Sequence, residues 1–116
     1  MRNMSFALTT PQILAREKTV TRRLGWLNLK RGERVQAVKK CMGLKPGEKL
    51  EKLCVIEVVD VRREPLDAIT IDEVAREGFP LMSPDWFIEF FCKSHKGCRP
   101  TSVVTRIEFD YTKHNF

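Results

Sequence analysis

The run KLCVIEVVDVRRE, Lys52–Glu64, decides the architecture of this chain. Val55, Ile56, Val58, Val59 and Val61 are β-branched, and such side chains suit a pleated surface better than a helix. Its thirteen residues are about twice the usual strand length of 5–6. A strand of that length is expected to bend or to pair with two neighbours. Partners lie on both sides. Upstream, GERVQAVK (Gly32–Lys39) alternates after a turn at Gly32. Downstream, SVVTRIEFDYT (Ser102–Thr112) alternates, with Val104, Ile107, Phe109 and Tyr111 available for packing. GLKPGEK (Gly43–Lys49) is a loop by its glycines and proline. MSFAL (Met4–Leu8) is apolar enough for one more short strand.

Three segments change to a helical period. TTPQILAREK, Thr9–Lys18, reads as a helix with Thr10 as N-cap and Pro11 at the first helical position. TIDEVAREGF, Thr70–Phe79, places Thr70 three residues before Glu73, a capping-box pattern, and stops at Gly78. SPDWFIEFFCKSH, Ser83–His95, starts with Ser83 as cap and Pro84 behind it. Trp86, Phe87, Phe90 and Phe91 then form an aromatic stripe, expected to face the core in preference to stacking bases. The order is strand, helix, several strands, two helices, closing strand. It defines an α+β class, expected as a small β-barrel with flanking helices; an open α+β sheet is the competing arrangement. With 116 residues, no linker and no repeat, a single domain over residues 1–116 is expected. There are no alternating βαβ units, no glycine-rich phosphate loop and no G-x-S-x-G elbow.

Lys and Arg number 21 against 15 Asp and Glu, and the resulting +6 favours a polyanionic partner such as nucleic acid. No apolar run approaches the ~20 residues of a membrane span, and the N-terminus lacks a secretory apolar segment. A cytoplasmic protein without a membrane partner is expected. Its cysteines, Cys41, Cys54, Cys92 and Cys98, are then thiols. CKSHKGC brings Cys92, His95 and Cys98 close together, and Cys41 could complete a zinc site. Paired Cys-x-x-Cys knuckles are absent, however, and Lys93 and Lys96 oppose a cation beside His95. The expectation is a loop with free thiols, no metal and no cofactor. No obligatory protein partner is indicated.

REKTVTRR, Arg16–Arg23, packs three arginines, a lysine and two threonines into eight residues. ILAREKTVTRR followed by KRGERVQAV resembles the start of an ASCH domain, a PUA-like β-barrel family. That family's signature is G-x-K-x-x-E-x-R after a first helix. Lys18 and Arg23 match it, while Arg16 occupies the glycine position and Thr21 the glutamate position. Small bacterial ASCH amidohydrolases that deacetylate N4-acetylcytidine carry K-T-x-T-x-R, matched by Lys18, Thr19, Thr21 and Arg23. Their third catalytic residue, a glutamate on the helix after the long strand, corresponds in position to Glu77. The resemblance spans Met4 to about Tyr111. It implies a cofactor-free site with Lys18, Thr21 and Glu77 catalytic, and with Arg16, Thr19, Arg22 and Arg23 binding substrate or nucleic acid.

The chemistry can be weighed on its own. Amide hydrolysis needs a nucleophile, a proton carrier and a group that stabilises the oxyanion. A lysine has an ordinary pKa of about 10.4. Burial and the charges of Arg16, Arg22 and Arg23 would lower that of Lys18, letting it accept the Thr21 proton. Glu77 favours the ammonium form, so its expected task is orientation or proton shuttling. Arg23 could hold an oxyanion or a phosphate, and Arg16 could narrow the cleft or reach a phosphate. Each residue also has a plain reading. Lys18 and Arg22 would solvate a helix end, Thr21 would begin a strand, and Glu77 would sit exposed in a last helical turn.

Two functions follow. One is hydrolysis of an acylated pyrimidine nucleoside. The other is recognition of RNA or a modified base without turnover, to which the basic RREPL (Arg62–Leu66) and KCMGLKPGEKLEK (Lys40–Lys52) segments are suited. A ribonuclease is the weaker third reading, because the only histidines, His95 and His114, lie outside the motif.

Overall fold

The long strand does serve two neighbours. In the computed structural model, which describes residues 1–113 and so leaves His114 outside, β4 is the strand Lys52–Pro65, preceded by β1 (Arg2–Ser5), β2 (Val20–Arg23) and β3 (Arg34–Val38). Its first half pairs antiparallel with β3, and its second half with β5 (Val103–Tyr111). Ile56 and Glu57 are flanked by both. The register against β5 shifts between Val58 and Asp60, so Val59 is the extra residue that bends the strand. β1 joins β3 in parallel and β2 joins β5 antiparallel, giving the order β1-β3-β4-β5-β2. The result is a curled five-stranded half-barrel with helices on its flank, an α+β fold. β1 and β2 are its two edges.

Alternation fills the concave side. Met4, Phe6, Val35, Ile56, Val58, Ile107 and Phe109 pack with Ile13 of α1 (Thr10–Leu14) into one core. A second core joins Leu66 and Val104 to α2 (Ile71–Arg76) and α3 (Pro84–Ser94). Val74 comes from α2, and Phe87 and Phe91 come from α3. The aromatic stripe therefore divides: Phe87 and Phe91 are buried, while Trp86 and Phe90 are half-buried and packed on the same cluster. No helix among the described residues is long and apolar enough to cross a membrane.

The caps at Thr70 and Ser83 form as expected, accepting from Glu73 N at 3.3 Å and Trp86 N at 3.1 Å. Glu73 does not return the capping bond, because its carboxylate is held by arginines. The first helix differs from expectation. Thr9 flanks it, Thr10 is its first residue, and it stops at Leu14 without reaching Lys18. Arg16 ends it in a left-handed conformation, φ 58°. Strand β1 also ends early, at Ser5, although Phe6 N still bonds Val38 O of β3 at 2.8 Å.

Candidate functional site

Two helix exits build the site. After α1, Arg16 N bonds Ile13 O at 3.0 Å and Glu17 N bonds Gln12 O at 2.9 Å, the paired bonds of a Schellman turn. After α2, Gly78 N bonds Ala75 O at 3.0 Å and Phe79 N bonds Val74 O at 3.1 Å, a second turn of the same kind. Gly78 has φ 104°, and a Cβ there would lie 2.7 Å from Gln12 Cγ, so the two turns pack directly. That contact sets Lys18, just beyond the first turn, against Glu77, the C-cap of the second.

Lys18 Nζ donates to Glu77 Oε1 at 2.6 Å and to the Glu77 carbonyl at 2.8 Å. Tyr111 donates to the Lys18 carbonyl at 2.5 Å. Lys18 and Thr21 are each 3 % exposed and Glu77 is 2 % exposed, so the plain reading of a solvated Glu77 does not hold. Burial pushes the Lys18 ammonium below its ordinary range; the charge and hydrogen bond of Glu77 oppose this, and Arg23 and Arg22 add to it. Thr21 Oγ1 accepts from Arg23 Nε at 3.2 Å, which leaves the hydroxyl proton available for donation. The Arg23 guanidinium lies 4.7 Å from the centre of the Phe6 ring. Burial brings Arg23 down to about 10, against the pull of Glu77, so it stays a cation at neutral pH. No carboxylate lies within ion-pair distance of Arg23 among the described residues.

These groups line one cleft of about 220 Å³. It opens at the seam where the half-barrel does not close, between the Ser5–Thr9 segment after β1 and Thr21, Arg22 and Arg23 of β2. Lys18 and Glu77 join them, and Phe79, Phe87, Phe90, Phe91 and His95 form the apolar wall. Arg16 and Thr19 are not in it. The Arg16 guanidinium lies 5.1 Å from the Tyr111 ring, and Thr19 Oγ1 accepts from Arg76 Nε at 3.4 Å.

Arg22 is embedded in carboxylates. Its NH1 donates to Glu77 at 3.0 Å, and its NH2 to Glu73 at 3.0 Å and Glu64 at 3.2 Å. Glu73 is gripped again by Arg106, at 2.8 and 3.0 Å, and by Arg76 at 3.3 Å. Hydrogen bonds from Arg106 and Arg22, with their charges, outweigh burial and hold Glu73 down at about 2. The sequence offered no signal for Glu64 or Arg106, and Glu73 read only as a cap. Elsewhere, Cys98 Sγ donates to Arg99 O at 3.7 Å, and among the described residues no group of three His, Cys, Asp or Glu side chains is placed to hold a metal.

The fold is a small α+β half-barrel of PUA-like shape. More narrowly, it is the fold of an ASCH domain. The ASCH domain from Lactobacillus crispatus JV V101 superposes with a TM-score of 0.66 at 20% identity, over 95% of this chain and 78% of that one. A DUF984 protein from Enterococcus faecalis V583 gives 0.65 at 13% identity, over 97% and 76%. No family model and no curated protein matches the sequence.

Proposed function

We propose that the cleft takes a cytidine-like base and hydrolyses an acyl amide on its exocyclic N4. The observation that carries this reading is the buried 2.6 Å Lys18–Glu77 contact in the same cleft as Thr21. Neutral Lys18 accepts the Thr21 proton as Oγ1 attacks the acyl carbon, and Arg23 stabilises the oxyanion. Collapse breaks the C–N4 bond, with the proton passing from Lys18 to the leaving nitrogen. Water then cleaves the acyl-threonine ester, releasing the carboxylic acid and restoring the Thr21 hydroxyl. Glu77 orients the Lys18 amine throughout. Phe79, Phe87, Phe90, Phe91 and His95 line the cleft as a wall against which a pyrimidine can pack.

The test is incubation with N4-acetylcytidine followed by chromatography for cytidine. Lys18→Met should fold and lose ~10²–10⁴-fold in rate, the usual worth of a general base. Lys18→Arg should fail as well, because a guanidinium does not release its proton at working pH. Retained activity in Lys18→Arg would overturn the mechanism.

A second reading is recognition of RNA or a modified base without turnover. It is favoured by the two bonds from Lys18 to Glu77, which satisfy a resting ammonium, and by the net charge of +6. Binding of this kind would weaken with salt, with a log–log slope of about −0.7 per phosphate neutralised on a single strand. No turnover together with that slope would select it.

A further inference from the structure

We propose that Arg22 is a positioning residue that clamps the Glu77 carboxylate against Lys18, and that it does not bind substrate phosphate. This rests on the hydrolytic reading above for its kinetic consequences, but its geometry is independent of it. The sequence places Arg22 among the substrate-binding cations. The fold places it elsewhere in function.

The Arg22 side chain has no exposed area, and its terminal nitrogens are engaged by Glu77, Glu64 and Glu73. A phosphate would have to displace a carboxylate already paired with it. Glu77 bridges two cations, with Oε1 on Lys18 and Oε2 on Arg22. Bound at both oxygens, the carboxylate cannot rotate, so Lys18 meets one fixed acceptor. Arg22 is itself fixed through Glu73, which the Arg106 fork holds from β5. Among the described residues, Arg22 Nε is buried without a partner. That is an expensive arrangement for a side chain whose only task is to fill space.

The charged groups that act most on Lys18 are Glu77, the C-cap of α2, and Arg22 and Arg23 of β2. Removing Arg22 deletes a neighbouring positive charge and frees both Glu77 oxygens for Lys18. Both changes favour the ammonium form. A substrate contact would show itself in KM, since its loss raises KM while the clamp leaves KM nearly unchanged.

The test compares Arg22→Met and Arg22→Lys with the natural chain. In Arg22→Met the acid limb of the kcat–pH profile on N4-acetylcytidine should move up by about one unit. At pH values below that limb the rate should fall about tenfold, with KM within about twofold. Arg22→Lys, with one nitrogen for three carboxylates, should shift in the same direction by less. The Lys18 amine is also followed by NMR titration without substrate, and its midpoint should rise in both variants. This second readout separates the two proposals. A risen midpoint with no hydrolysis by the natural chain would sink the hydrolytic reading and leave the clamp standing. An unmoved midpoint in a folded variant, or a tenfold rise in KM with an unmoved pH profile, would overturn the clamp. If Arg22→Met does not fold, Arg22→Lys decides by the same midpoint.

Discussion

Arg16 shows how one residue can set a turn of the fold. It occupies the C′ position of the α1 Schellman turn with φ 58°. The left-handed conformation costs a non-glycine residue roughly 1–2 kcal/mol, which gives a physical reason for glycine at that position in the resembling signature. Here the arginine is kept and laid on Tyr111. Arg16→Gly and Arg16→Ala both lose that stacking, so the difference between them isolates the backbone term. The glycine variant should be the more stable by about 1 kcal/mol in urea melts, reversing the order expected of a helical residue. Equal stabilities would contradict the strained turn. Lys18 and Thr21 are legible at this scale, because a short motif places them together. Glu77 lies 59 residues from Lys18 and only resemblance, not spacing, singled it out. The three carboxylates that surround Arg22 lie 42, 51 and 55 residues away, beyond what spacing can display.

Between elements, the decisive contact is a glycine against a glutamine. Gly78 ends α2, and the absence of a side chain lets Gln12 of α1 approach. Gly78→Ala meets both a positive φ and a 2.7 Å clash, so it should destabilise by at least ~1–3 kcal/mol. On the hydrolytic proposal it should also slow N4-acetylcytidine hydrolysis, since it pushes Lys18 away from Glu77; full stability would show that the turns do not pack. Ser83→Ala is the contrasting case. It removes a cap far from Lys18 in the chain and should cost about 1 kcal/mol in stability alone. Caps were readable because Thr70 and Ser83 act locally. The length of α1 was not, since TPQILAREK has good helical character and only the αL turn at Arg16 stops it. β2 was hidden for a different reason. Its TRR sequence buries a charged side chain beneath α2, so the strand shows no apolar alternation.

Across the whole molecule, net charge and local charge tell different stories. The +6 invites a polyanion, yet many of the cations near the cleft are committed inward. Arg22, Arg106 and Arg76 converge on Glu73, which ties β2, β5 and α2 together. Such a buried network stabilises little beyond an apolar core, but losing one member strands the others. Glu73 is held at about 2 in the fold against an ordinary 4.5. A depressed carboxylate contributes stability that is present above its unfolded pKa and lost as pH falls through the folded one. Stability should therefore hold from pH 7 to about 5 and then drain away between about 4.5 and 2. Glu64 and Glu108, also lowered, add to the same loss. Glu73→Gln should lower stability at pH 7 by about 3 kcal/mol, because Arg106 and Arg22 lose their shared counter-charge. It should also flatten the acid decline, since the proton that breaks the network has nowhere to bind. Urea melts of both proteins at pH 7, 4.5 and 3 should show curves that converge on acidification. Parallel curves would mean that the acid sensitivity of this fold lies outside the Glu73 cluster.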